Sequence, residues 1–217
     1  MPRYETIDEF LTRARVAIDN ALANAEIQNS LSAFGYTPEK IQGGRVLYDR
    51  AQAATQQQIT EYGEQIGSTA ALNEAWQQAK TTYNPFVQVA RVAFKKKPGI
   101  ATQLAIAGAR KRTLSGWVEQ ARVFYDNALS NADIGSRLAE FGITQEKLQG
   151  GKAEVEALEG LNAAQEEEKG EAQQATKTRD EAIDVLSDWL EDFLDIAEVA
   201  LSGSPQLLEA LGVVVRS

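Results

Sequence analysis

The sequence predicts an all-α fold built as two tandem, duplicated antiparallel helical bundles. Three observations carry this: a composition rich in Ala, Leu, Glu and Gln with only five prolines, apolar residues recurring at three-and-four spacing, and self-similarity at an offset of 107 residues. At that offset residues 14–44 fall on residues 121–151, with 19 of 31 positions identical and no gap. The match continues with Gly63-Glu64 on Gly170-Glu171, Phe86 on Phe193 and Pro98 on Pro205. A period this long is not a solenoid repeat, whose units run about 20–50 residues. The predicted domains are therefore residues 1–110 and 111–217, each with three long helices and a short fourth.

The first helix of the first unit is predicted over residues 7–33. Phe10, Leu11, Ala14, Ala17, Ile18, Ala21, Leu22, Ala25 and Leu31 give it one broad apolar face. It stops at Gly35, placed to take the left-handed conformation that closes a helix. Thr37 then caps the next helix and Pro38 occupies its first position, where a missing N–H costs nothing. Phe141-Gly142-Ile143-Thr144 repeats this stop and start without the proline.

The next stretch keeps a seven-residue phase through Ile41, Tyr48, Thr55, Tyr62, Thr69, Trp76, Tyr83 and Ala90, apolar at its ends and polar in its middle. Leu148, Val155, Asn162, Lys169, Thr176, Ile183, Leu190 and Ala197 repeat the phase. One reading breaks each stretch, at residues 62–69 and 169–176, into two antiparallel helices. The alternative fuses them into one helix about 80 Å long. Gly63, Gly67, Ser68 and Thr69, and the rarity of such helices in compact domains, favour the hairpin. A short helix closes each unit, in "GIATQLAIAG" after Pro98 and in "QLLEALGVVV" after Pro205. The basic connector "ARKRTLSGW" joins the units, with Thr113 or Ser115 capping the helix that holds Trp117.

Composition excludes several chemistries. The chain has no cysteine and no histidine, which removes disulfides, thiol nucleophiles, the commonest general base and the commonest metal ligand. Its net charge of −9 divides into +2 for residues 1–110 and −11 for residues 111–217. An acidic second half argues against nucleic acid as a partner. The start "MPRYETIDEF" is interrupted by acidic residues and does not read as a signal peptide, and no window is long and apolar enough for a membrane span. The expected location is cytoplasmic.

Five features are candidate sites. Asp180, Asp184, Asp188, Glu191, Asp195 and Glu198 form an acidic ladder opposite a core face of Ile183, Leu186, Leu190, Phe193, Ala197 and Ala200. A straight helix without histidine suits a solvated face or a basic protein surface better than a metal. Arg15 and Asp19, like Arg122 and Asp126, stand at i,i+4 and can pair. Asn20 and Asn127, with Asn24 and Asn131, repeat that spacing one step round, as an interhelical polar lock or a small-ligand pocket would. The pairs Gly43-Gly44 and Gly150-Gly151 lie inside helices, where close approach of an aromatic side chain is the simplest account. They lack the order of a phosphate loop. Lys95-Lys96-Lys97 and Arg110-Lys111-Arg112 flank a short apolar helix, read as packed with solvated ends. The faces around Trp76, Tyr83 and Phe86, and around Trp189 and Phe193, are the expected partner surface.

"EYGEQ", "QVARVAF", "GARKRTLSGWVEQARVFYDNAL", "KGEAQQATKTRDEA" and "PQLLEALGVVV" together resemble a group of uncharacterised bacterial proteins of about this length. The resemblance implies a duplicated helical-bundle fold and supplies no activity, ligand or site residue. The expected function is a non-enzymatic scaffold or protein-interaction module, self-associating through helix faces, with no cofactor and no metal. The alternative is a bundle that binds a small ligand or a divalent cation at Arg15, Asp19 and the acidic helix.

Overall fold

The computed structural model describes residues 5–214, so Val215 of the predicted closing helix and the first four residues of the leader reading lie outside the described residues. Among those described there are eight α-helices and no strand. They make two compact units: unit 1 is Met1–Tyr62 with Glu171–Ser217, and unit 2 is Gly63–Gly170. Neither coincides with a half of the sequence. Each unit instead draws helices from both halves.

Unit 1 begins with α1 (Ile7–Ala23) and α2 (Ala25–Ser32). Thr6 caps α1 in a capping box, its backbone N–H donating to Glu9 Oε2 at 2.8 Å while the Glu9 N–H donates to Thr6 Oγ1 at 3.3 Å. The single helix expected over residues 7–33 is broken at Asn24, which leaves helical geometry at φ −111° and ψ 110°. Its Oδ1 accepts from the N–H groups of Glu26 and Ile27 at 2.9 and 3.2 Å. Asparagine offers the backbone this alternative to helix continuation. The break shifts the helical phase, so Ala25 turns outward and Ile27 becomes fully buried.

The predicted hairpin is also corrected. α3 (Pro38–Ala93) and α7 (Gln145–Ala200) are single helices of 56 residues each. Gly63, Gly67 and Gly170 keep helical backbone, since none is among the glycines with positive φ. A glycine costs only about 1 kcal/mol against alanine in a helix. The unbroken seven-residue phase on either side outweighs that penalty. Gly35 and Gly142 do take the left-handed conformation, at φ 82° and 79°.

Residues 38–62 of α3 and 171–200 of α7 belong to unit 1, together with α8 (Pro205–Ala210). Phe10, Ile18, Ile27, Leu31 and Ile41 there share one core with Leu186, Leu190 and Phe193. Unit 2 takes residues 63–93 of α3, α4 (Pro98–Gln103), α5 (Leu114–Ser130), α6 (Ala132–Ala139) and residues 145–170 of α7. Its core joins Tyr83, Val87 and Phe94 to Trp117, Phe124, Tyr125, Ile134 and Leu158. Thr113 is the cap of α5, accepting from Gly116 N–H at 3.3 Å. The closing helices α4 and α8 are six residues each, shorter than the apolar runs that predicted them. Every helix of α5–α8 spans the residues of α1–α4 moved by 107.

Candidate interaction surfaces

The predicted polar cluster does not converge on a pocket. Asp19 pairs with Arg45 of α3 rather than with Arg15, which stands exposed. Arg45 also reaches Asp49 at 3.1 Å. In unit 2 Asp126 accepts from Lys152 Nζ at 2.6 Å, while Arg122 pairs with Glu119 and approaches Glu159 at 3.9 Å. These links tie α1 to α3 and α5 to α7.

Asn20 and Asn127 are latches. Asn20 Nδ2 donates to the Ala210 carbonyl at 2.6 Å, and Asn127 Nδ2 donates to the Gln103 carbonyl at 2.7 Å. Ala210 and Gln103 are the last residues of α8 and α4. The final carbonyls of a helix have no partner within it, so each asparagine satisfies an orphan acceptor.

The glycine pairs resolve by the same logic. A Cβ on Gly44 would overlap the Trp189 ring, and one on Gly151 would overlap the Tyr125 hydroxyl and ring, both well inside 3.0 Å. Gly43 and Gly150 have nothing within 4 Å. Only the second glycine of each pair is a berth for an aromatic ring.

The expected aromatic partner faces are mostly core. Tyr83 is 1% exposed and Phe193 is fully buried. Trp189, half-buried in unit 1, stacks on Phe193 with ring centroids 5.1 Å apart. Trp76, in unit 2, meets Trp117 edge-on at 6.4 Å and carries Lys80 Nζ 3.4 Å over its ring. Tyr83 and Tyr125 lie 5.9 Å apart between centroids, and among the described residues neither hydroxyl has a hydrogen-bond partner. Burial raises the Tyr83 hydroxyl to about 12 against the lowering effect of Arg110 and Arg91. Burial also raises that of Tyr125, helped by Glu154 and by Tyr83.

What the surface does carry is segregated charge. Residues 75–118 hold eight Lys/Arg and no carboxylate. The stretch 182–214 holds seven Asp/Glu and no cation. All seven carboxylates are exposed, as are Lys95, Lys96, Lys97, Lys111 and Arg112. Summed over unit 1 the charge is −9, and over unit 2 it is zero. The acidic ladder follows the predicted phase, with Ile183, Leu186, Leu190, Phe193 and Ala197 buried behind it.

Comparison with protein-family models, curated proteins and solved structures finds no match.

One surface feature escaped the sequence reading. Beside the acidic ladder, unit 1 has a groove of about 530 Å³ between α1, α7 and the turn after α8. Leu190, Leu194 and Val213 line it along with Glu191, Asp195 and Glu198. Arg13 stands at its edge, held by Glu5 through two hydrogen bonds of 2.8 and 2.9 Å. The guanidinium holds the Glu5 carboxyl below the usual carboxylate range. Arg13 and Glu191 are 178 residues apart in the chain, so only the fold brings them together.

Proposed function

We propose that this chain is a non-enzymatic helical interaction module that recognises basic polypeptide partners through the acidic surface of unit 1. The observation that carries this reading is the contrast between interior and surface. Among the described residues no Asp, Glu, Lys, Arg, Asn, Gln, Ser or Thr is buried as a whole residue, so the interior polar groups are chiefly the tyrosine hydroxyls of unit 2. The exposed face of α7 presents a continuous row of carboxylates beside an apolar-floored groove.

The reading includes an origin by duplication, for which the sequence offset and the matching helix bounds are the support. It places the protein in the cytoplasm, in keeping with a sequence that has no cysteine and, among the described residues, no helix long and apolar enough to cross a membrane. The small-ligand alternative gains nothing from geometry, because Asp19 and Asp126 are already paired and Asn20 and Asn127 are already bonded.

Affinity capture with two baits tests the proposal. The wild-type chain is compared with an Asp188→Lys/Glu191→Lys/Asp195→Lys variant of equal helicity. Retention of defined basic proteins by the wild type and their loss on the variant is the expected result. Identical capture by both baits would count against it.

A further inference from the structure

The position-by-position correspondence between the units says what kind of ligand the unit 1 groove takes. In unit 2 the equivalent cleft is filled by the chain itself. After α4 the polypeptide runs on as a non-helical connector, and three side chains clamp it. Arg91 Nε donates to the Ile106 carbonyl at 3.0 Å and Arg91 Nη2 to the Gly108 carbonyl at 2.9 Å. Gln120 Nε2 donates to the Ala105 carbonyl at 2.8 Å, while its Oε1 accepts from the Lys111 N–H at 3.0 Å. Arg110 of the connector reaches back to Asn84 of α3.

Moving these positions by 107 lands on the groove of unit 1. Asn84 becomes Glu191, Gln88 becomes Asp195, Arg91 becomes Glu198 and Gln120 becomes Arg13. Val87 becomes Leu194 and Ile106 becomes Val213, so the apolar floor is kept. The polar rim has changed sign. Where unit 2 offers Asn84, Gln88 and Arg91, unit 1 offers three carboxylates, which accept from cations and from backbone N–H groups. Arg13 gives Nε and Nη2 to Glu5, and among the described residues Nη1 is left to donate to a ligand carbonyl, as Gln120 Nε2 does.

We propose that the unit 1 groove binds an extended polypeptide segment bearing Lys or Arg, placed as the connector is in unit 2 but held by acceptors at Glu191, Asp195 and Glu198 where unit 2 donates from Arg91. This rests on the interaction-module reading and specifies the partner's form: an extended cationic stretch supplied by another protein. Its apolar residues face Leu194 and Val213, and its cations face Glu191, Asp195 and Glu198. Charge complementarity is the argument for the occupant, with the connector "GARKR" as the internal template. A second copy carries the same segment, but there Arg91, Gln120 and Arg110 already hold it in place.

The test uses the full chain and a fluorescent synthetic peptide of residues 104–113, LAIAGARKRT, read by anisotropy. Saturable binding is expected. It should weaken about tenfold or more in Glu191→Lys or Asp195→Lys, consistent with loss of a close charge pair. Raising salt from about 0.05 M to about 1 M should weaken it too, since screening shortens to about 3 Å. Amide shifts confined to Leu194, Asp195 and Val213 would place the peptide in the groove. Circular dichroism confirms that each variant is folded, and the milder Glu198→Gln gives a second reading.

Absence of binding at about 1 mM peptide, the weak limit of useful affinity, would overturn the proposal, as would binding unchanged in both lysine variants. Binding that emerges only when residues 215–217 are deleted would make that segment the occupant and overturn it too. Sedimentation that shows the same charge reversals dispersing an oligomer would assign the groove to a second copy. If the peptide fails while differential capture succeeds, the interaction-module reading stands and only this assignment of the groove falls.

Discussion

Replacing each glycine of the Gly43-Gly44 pair by alanine should have opposite effects on stability. At Gly43 a new methyl meets nothing within 4 Å. Gly43→Ala therefore gains the helix propensity difference of about 0.8–1.0 kcal/mol. At Gly44 the same methyl overlaps the Trp189 ring. Trp189 cannot simply swing aside, because it is stacked on Phe193 at an interplanar angle of 7°. Overpacking of this kind costs about 1–3 kcal/mol, which the propensity gain only partly offsets. The two variants should differ by about 1–3 kcal/mol, or several degrees in Tm at about 2–4 °C per kcal/mol for a chain of this size. Thermal and urea melts followed by circular dichroism give the values. Trp189 is the one tryptophan in unit 1, so single-tryptophan versions made with Trp76→Phe and Trp117→Phe report that unit locally. A cycle with Trp189→Leu should restore the benefit of alanine at position 44. Equal stabilisation by Gly43→Ala and Gly44→Ala would refute the packing account. The pair in unit 2 offers a replicate, with Gly150 open and Gly151 facing Tyr125.

Other perturbations follow from the same correspondence. Ala105 is held at φ 51°, where the equivalent residue is Gly212 at φ 81°. Ala105→Gly should raise stability by about 0.5–1 kcal/mol, because an L side chain pays about 1–2 kcal/mol there; a loss in thermal melts would contradict it. Pro85 lies inside α3, at the position that corresponds to Asp192 of α7 in the 107-residue register. Pro85→Ala restores a helical N–H and should stabilise by about 1–3 kcal/mol, checked by urea denaturation. Tyr83 has a folded pKa raised to about 12 from 10.0, so the unfolded chain loses that proton first and stability falls as pH climbs from about 10 to 12. The loss should approach about 2–3 kcal/mol for this group. Tyrosinate absorbance should rise in step with loss of helicity, and Tyr83→Phe should blunt the slope. Residues 1–110 expressed alone should fail to fold, because Phe10, Ile18 and Leu31 lack Leu186, Leu190 and Phe193. Mixing with residues 111–217 should recover helicity by circular dichroism.

Much of the local structure was readable from residues because its causes are local. Gly35 and Gly142 close helices where predicted, and Thr37, Thr113 and Thr144 begin them. The apolar stripe of α7 from Ile183 to Ala197 is buried as its period requires. What was not readable depended on weighing a local cost against a distant gain. Gly63 and Gly67 argue for a break, and only the packing of Leu72, Tyr83 and Val87 in the same phase overrules them. Asn24 was visible as a repeated polar residue, yet a cap and a mid-helix asparagine look alike until backbone geometry is known. The exchange of helices between halves was hidden for a different reason. A repeat shows that two segments are alike, which makes either one an acceptable cover for Phe10 on pattern alone. The groove inherited that ambiguity, since Arg13 meets Glu191 only once the partner of α1 is fixed.

The division of unit 1 between two separate segments of the chain also orders events in time. Unit 2 is one uninterrupted stretch, residues 63–170, and can close as soon as it has left the ribosome. The α1–α2 pair emerges earlier, and the α7 part of the core that Phe10, Ile18, Ile27 and Leu31 share begins only at residue 171. At about 5–20 residues per second, the intervening 108 residues take roughly 5–20 s to synthesise. During that interval Phe10, Ile18, Ile27 and Leu31 have only the α3 side of their core, Ile41, Tyr48 and Ala51, to pack against. Residues 171–200 of α7, rich in carboxylates, then complete that core.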